Sequence, residues 1–415
     1  MASVEKKIRV GVVGAGRGQT FAHQAGNVGM EFVALCDIWE EHLLEVGKRY
    51  GVATYTDYDK FLEHDMDAVV LANYYHEHAP FAIKAFAAGK HVMSECIACK
   101  TPAEGVALAR AVEKYGLIYM FAENYAYFAY NQEMRRLYQA GEIGEIQYME
   151  GEFNHPIDSR TYNMIAPGMN HWRNHIPPTY YPTHAMSPLM YVTDTRPVSV
   201  NALSIPRSDK DKENLHVRRG DAGGIILCRM NNGAVARTMG LSLRGHSVWY
   251  RFHGTRGLME NLRTGDHNML RIQHEPWDLM EGDVTEKIYK PDFPVHADLA
   301  HRAGHGGGDF FVTYHFSEAI QKNEQPWMNV YRAIDMTMVG IQGWRSCLDE
   351  GRPYEIPDMS DESVRKRYEN DDFSPFPEDR RPGQPWPSIK GELKPSAEAI
   401  EYAKSVWAEM GYHGE

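Results

Sequence analysis

The chain has 415 residues, 43% of them apolar, and a formal charge of -12. That length accommodates two domains with hydrophobic cores, and that composition excludes a disordered chain. The acidic balance argues against nucleic acid or an anionic membrane as a partner, since both call for basic patches.

Five cysteines (Cys36, Cys96, Cys99, Cys228, Cys347) form an odd, scattered set. Cys96 and Cys99 make a lone C-x-x-C, which lacks the second pair of a zinc framework; a thioredoxin-like redox pair is the alternative. The opening, Met1 to Lys7, has no signal-peptide core, and no apolar run is long enough to span a bilayer. A cytoplasmic protein is the expectation.

The first strand, Ile8 to Val13, runs into Gly14-Ala15-Gly16-Arg17-Gly18. A buried strand, a tight glycine turn and a helix from about Gln19 make a cradle whose amides meet a diphosphate. The third glycine, Gly18, falls one place early, and Gln19 takes the usual position. The next apolar run ends at Asp37, the acid expected on the ribose diol of an adenosine. With no adjacent arginine, Asp37 favours NAD over NADP, because it repels a 2′-phosphate.

From Lys7 to about Glu123, apolar runs alternate with amphipathic stretches, as in parallel βαβ units. Helices are expected over 40–50, up to Gly89 and over 101–115, with strands at 68–72, 89–93 and 117–121. Ligands sit beyond the carboxyl ends of such strands. Asn73 to His78, Glu95-Cys96 and Glu123-Asn124 then share one rim with the glycine turn.

Past Asn124 the rhythm changes. A helix (131–140) precedes alternating strands at 146–152, 198–205, 224–230, 234–242 and 247–253, a mostly antiparallel sheet with one covered face. The polar, proline-rich insertion from Asn154 to Tyr181 reads as a functional loop. Helices are expected at 183–192, 310–321, 331–348 and 397–410. The stretch 353–395 reads as a surface wrap, and the last helix as a dock onto a neighbour or a partner subunit. The expected division is a Rossmann domain (1–124), an α+β substrate and oligomerisation domain (125–355) and a C-terminal extension (356–415).

Gly14-Ala15-Gly16, His78-Ala79-Pro80, Gly89-Lys90-His91-Val92 and the two-domain layout resemble the Gfo/Idh/MocA oxidoreductases. In that family the strand after Gly-Lys-His-Val ends in Glu-Lys-Pro, whose lysine assists proton transfer. Here the residues are Glu95-Cys96-Ile97. Ala122-Glu123-Asn124-Tyr125, Trp172-Arg173, Tyr181-Pro182-Thr183-His184 and Gly304 to Phe310 are similar to segments of glycoside hydrolase family 109. That branch keeps a bound nicotinamide and also lacks the lysine. The pattern departs at Gly308, where the family has methionine.

The resemblance implies an NAD-dependent enzyme oxidising a ring carbinol, C3, of a sugar or glycoside. The alternative is a redox-assisted glycosidase that oxidises C3, eliminates the aglycone, adds water and returns the hydride. A cofactor-binding sensor is the further alternative. His184 is the favoured base, with Tyr181 one turn behind; a histidine near its ordinary pKa takes a proton at neutral pH. Candidates for a second base are Tyr181, His155, His171 and Glu123.

The cofactor set is Gly14, Gly16, Arg17, Gly18, Gln19, Asp37, Asn73, His78, Glu95, Cys96 and Asn124, with NAD preferred to NADP. Expected substrate contacts are Trp172, Arg173, Tyr125, His171, His305 and Asp309. The i, i+4 pairs His171/His175 and His301/His305 suit a metal on a helix, but lack the Glu of a zincin motif. Hydrogen-bonding histidines and no metal are the expectation. The expected partners are a small sugar or glycoside and a second copy of the chain, as homodimer or homotetramer.

Overall fold

The computed structural model describes residues 7–208, 210–211 and 214–414. The chain divides into two compact units: Met1–Glu133, Pro291–Ile334 and Asp358–Asp371 form one, and Met134–Lys290, Asp335–Pro357 and Asp372–Glu415 the other. The chain thus re-enters its first unit twice after leaving it. Gly304 to Phe310, expected in the second domain, is part of the nucleotide-binding unit. The expected separate extension from 356 is shared between the two units.

The first unit is built on six parallel strands: β1 (Ile8–Val13), β2 (Met30–Cys36), β3 (Ala53–Tyr55), β4 (Ala68–Leu71), β5 (His91–Ser94) and β6 (Tyr119–Phe121). Their order is β3-β2-β1-β4-β5-β6. Val12, Val69, Leu71, Val92 and Met93 are wholly buried, as expected for strands covered on both faces. The order reverses between β1 and β4, which pair in parallel. That reversal is the crevice where α/β sheets of this kind bind their ligands.

The second unit carries β7 (Ile146–Asn154), β8 (Pro197–Ile205), β9 (Gly223–Met230), β10 (Val235–Leu241), β11 (Ser247–Gly254), β12 (Gly257–Asn261), β13 (Leu270–His274), β14 (Glu286–Tyr289) and β15 (Tyr354–Glu355). They form one sheet in the order β14-β13-β12-β11-β7-β10-β9-β8-β15. Only the β7–β10 pair runs parallel among the described pairings. Ile226, Cys228 and Met230 on β9 are buried, while Ile225 and Leu227 are exposed; one face is covered and one open, as the alternation predicts. The helix Thr183–Thr193 packs on β7, β10 and β11.

The strands β12 to β15 were not among those expected. The 154–181 insertion is not a bare loop either: Asp158 caps a helix over Ser159–Ile165 by accepting from Thr161 N. Its Tyr162, Trp172 and Tyr180 are buried. The closing helix Ala397–Glu409 packs on that short helix within its own unit, and Trp407 Nε1 donates to Asn163 O at 2.9 Å. Phe376, in the stretch read as a surface wrap, is wholly buried. No helix among the described residues is long and apolar enough to cross a membrane.

Candidate functional site

In the first unit the glycine turn closes on the end of β4. Gly14 has φ +99°, and a Cβ there would lie 2.3 Å from Ala72 O; only glycine fits. Gly16 is open, with nothing within 4 Å of an added Cβ, and offers a concave cradle at the start of the helix Gly18–Ala25. That helix starts one residue before Gln19. A Cβ on Gly18 would meet Val12 Cγ1 at 2.4 Å, so this early glycine performs the close helix–strand packing expected of the third one. Gln19 folds back instead, donating to Ala15 O at 2.6 Å and accepting from Arg49.

Asp37 sits at the tip of β2. Its carboxylate accepts from Ala15 N at 2.7 Å and from Trp39 N at 2.8 Å. A carboxylate has about four acceptor positions, so two remain for a ribose diol. Along the same rim, Asn73 Oδ1, Asn124 Oδ1 and His78 Nε2 are buried without a hydrogen-bond partner among the described residues. Such atoms are costly unless something meets them. The open cradle, the half-engaged acid and these orphaned atoms fit a dinucleotide. His78 is otherwise a packed residue: its Nδ1 lies 2.9 Å from Ile97 O, and burial pushes its pKa down.

Arg17 does not point into the cradle. Its Nε donates to Glu95 Oε1 at 2.6 Å, and Nη2 and Nη1 donate to Asp309 Oδ1 and Oδ2 at 2.7 and 3.2 Å. Asn124 Nδ2 also donates to Asp309 Oδ1, at 2.8 Å, and His305 Nδ1 to Oδ2, at 2.7 Å. The four acceptor positions of Asp309 are therefore all filled, and none is left for a substrate hydroxyl. Burial raises the Asp309 pKa, but the bonds from His305 and Arg17 outweigh it and hold the carboxyl well below the ordinary range. Asp309 lies in the first turn of the helix Gly308–Lys322, where the dipole also favours a negative charge.

The loop that delivers His305 is tightly packed. His305, Gly306 and Gly307 all have positive φ. A Cβ on Gly308 would lie 2.3 Å from Asn124 O, which explains glycine where the family pattern has methionine. Tyr125 lies beside His305, ring centroids 6.5 Å apart, and its hydroxyl pKa is raised by burial and by Glu123 and Asp309.

Cys96, at the position of the family lysine, is buried and donates from Sγ to Glu123 Oε2 at 3.2 Å. Glu123 Oε1 accepts from Tyr125 N at 3.2 Å. Cys99 is a buried free thiol, its pKa pushed well up by burial, unlike the depressed thiol of a redox pair.

The second unit gathers another group. His184 is the second residue of the helix Thr183–Thr193, and its backbone carbonyl accepts from Tyr250 Oη at 2.7 Å. Its ring meets Phe153 edge-on at 4.8 Å and Tyr181 at 4.9 Å. Phe153 in turn stacks on His155 at 5.8 Å, and His155 lies 5.3 Å from His246. Asn154 arranges this by accepting from Leu243 N at 3.1 Å and donating to Gly245 O, which fixes the turn bearing His246. Burial and the neighbouring charges of His246, His184 and Arg173 lower the His155 pKa. Arg173 lies over the Trp172 ring at 4.4 Å.

Neither histidine pair chelates from a helix. His171 Nδ1 caps the turn Trp172–Asn174, and His175 Nε2 lies 3.2 Å from Met169 O. The helix Ala297–Ala300 ends before His301, which pairs with Asp292 at 2.8 Å. The sequence pattern brings out His184, Tyr181 and His155 together, but not Phe153 or His246. His246 carries no motif; only its place in the turn before β11 marks it.

The crevice, the cradle and the rim define a nucleotide-binding oxidoreductase fold. Residues 8–123 match the oxidoreductase family with an NAD-binding Rossmann fold, and residues 198–366 match the glycosyl hydrolase 109 C-terminal domain. A glycosyl hydrolase family 109 protein of Stenotrophomonas maltophilia is 23% identical over 414 residues, covering 87% of this chain and 91% of its own. An alpha-N-acetylgalactosaminidase of Bacteroides fragilis is 24% identical over 370 residues, covering 80% and 86%. The structure of levoglucosan dehydrogenase with NADH and levoglucosan superposes with a TM-score of 0.70 at 19% identity, covering 85% and 99%. This chain is an NAD(H)-binding Gfo/Idh/MocA-type oxidoreductase domain fused to a glycosyl hydrolase 109-like C-terminal domain.

Proposed function

We propose that the chain cleaves a glycoside by a redox-assisted route, with NAD recycled in place. The observation that carries this reading is the glycosyl hydrolase 109 match over residues 198–366. It favours net hydrolysis over the net sugar oxidation that the sequence pattern put first. Relatives named as alpha-N-acetylgalactosaminidases make an N-acetylgalactosaminide the first substrate to try.

The glycine cradle and Asp37 would hold NAD, whose nicotinamide would supply hydride transfer from and back to the sugar carbinol, C3. The protein's residues do the rest. Asp37 holds the adenosine ribose through its two open acceptor positions. His184 takes the carbinol proton, with Tyr181 and Phe153 fixing its ring from two sides. A neutral imidazole is suited to this at pH 7. Cys96 supplies no ammonium at the rim, and its thiol is engaged with Glu123. Arg173, whose guanidinium lies over the buried Trp172 ring at 4.4 Å, holds the sugar hydroxyls, and Trp172 sets the guanidinium's position.

The second reading, net oxidation of a sugar, is favoured by the oxidoreductase character of residues 8–123. Incubation with a panel of p-nitrophenyl glycosides, including the α-N-acetylgalactosaminide, separates the two. Nitrophenol released without net NADH is the expected result. NADH accumulating beside an intact glycoside supports the dehydrogenase and overturns the glycosidase.

A further inference from the structure

Redox-assisted cleavage needs a second proton-transfer group beside the one at the carbinol, and from the dyad on the nucleotide-binding unit we infer that His305 is that group, with Asp309 as its positioning residue. This rests on the glycosidase reading above.

The Asp309 side chain is 1% exposed, whereas that of His305 is 46% exposed, and the two lie 2.7 Å apart. An ionised carboxylate only accepts, so the proton between them sits on His305 Nδ1. A neutral imidazole protonated there carries its lone pair on Nε2. Nε2 has no hydrogen-bond partner among the described residues. The result is a base of fixed tautomer and fixed ring plane, with its acceptor atom open, in the logic of a buried acid orienting a histidine.

Among the described residues, few groups contact this imidazole. Asp309 lies on one side, and behind it Arg17 and Glu95 share their own pair. Tyr125 lies on the other side, with Glu123 beyond it. Arg17 holds Asp309 ionised, so the acid orients the ring without taking its proton. The local backbone argues the same way. His305 adopts φ +48° ahead of two glycines that also have positive φ. A non-glycine residue in that conformation persists where the surroundings enforce it.

In the step assigned to it, His305 Nε2 takes the proton from C2 of the 3-keto sugar. The C2–H electron pair becomes the C1–C2 double bond, and the C1–O bond breaks with its pair leaving on the aglycone. The oxidant for the ketone would be NAD, reduced in that step, and it would give the two electrons back to the sugar when the hydride returns to C3. After water adds at C1, the imidazolium, half exposed and so free to exchange its proton with solvent, protonates C2.

The test uses the full NAD-loaded chain and the nitrophenyl glycoside it cleaves fastest. In His305→Gln, aglycone release falls by about 10²–10⁴-fold, while reduced cofactor still forms and then accumulates. Added imidazole restores part of the release in His305→Ala. Release within about threefold of the parent, or equal loss of reduction and release, overturns the assignment. The tautomer is read independently of turnover by ¹⁵N NMR of histidine-labelled protein at pH 8. A proton on Nδ1 of His305 is expected, and a proton on Nε2 overturns the proposal. A protein that passes the NMR test but cleaves no glycoside refutes the glycosidase reading alone.

Discussion

Single side chains carry the chemistry, and three of them make separable predictions. His184→Ala removes the base proposed for the carbinol and should lower turnover by at least about 100-fold, with NAD affinity unchanged by calorimetry; loss of NAD binding would place that imidazole on the cofactor instead. Asp37→Ala loses the ribose contacts and weakens NAD more than NADP in a fluorescence titration; an unchanged preference removes Asp37 from the ribose. Asp309 makes a prediction about pH. Its folded pKa is depressed, so its contribution to stability is present above the unfolded value of about 3.9. That contribution is lost as pH falls toward the folded value. Urea midpoints of the parent should therefore drop more steeply below about pH 4 than those of Asp309→Asn. At pH 7 the variant should be less stable, by roughly 3 kcal/mol. Equal acid limbs would contradict the account.

Among the elements, those with strong local signals were legible and those defined by partners were not. Five of the six parallel strands and five strands of the larger sheet stand near their expected places because apolar runs and alternation mark them; β3, three residues long, carries no such run. Strands β12 to β14 are short, though Leu270, Ile272 and His274 are buried in alternation and could have been read. Asp158 is an N-cap residue type three before Thr161, a helix start overlooked within a polar insertion. The site was legible as residue types at a rim, but not as a network. Arg17 and Asp309 are separated by 292 positions, and no local pattern says that one carboxylate serves Arg17, Asn124 and His305 together. The closing helix fastens the insertion that bears Trp172 and Arg173, through Trp407 and the short helix Ser159–Ile165. Trp407→Ala removes a buried indole and its bond to Asn163 O, and should cost about 3–5 kcal/mol. A thermal-melt shift of only a degree or two would show that the helix is dispensable.

Across the whole molecule, the proposed route draws on features that each unit shows by itself. One has a cofactor crevice, a half-engaged acid and an Asp-oriented histidine; the other has His184, set between Tyr181 and Phe153 on a helix pinned to its sheet. Both belong to a route in which the carbon beside the oxidised centre must give up its proton. Direct displacement at the anomeric carbon never touches that proton. The most direct measurement is therefore mass spectrometry of the sugar released in D₂O. One deuterium fixed on carbon at C2 is the predicted result, and a released sugar with no carbon-bound deuterium would contradict the route.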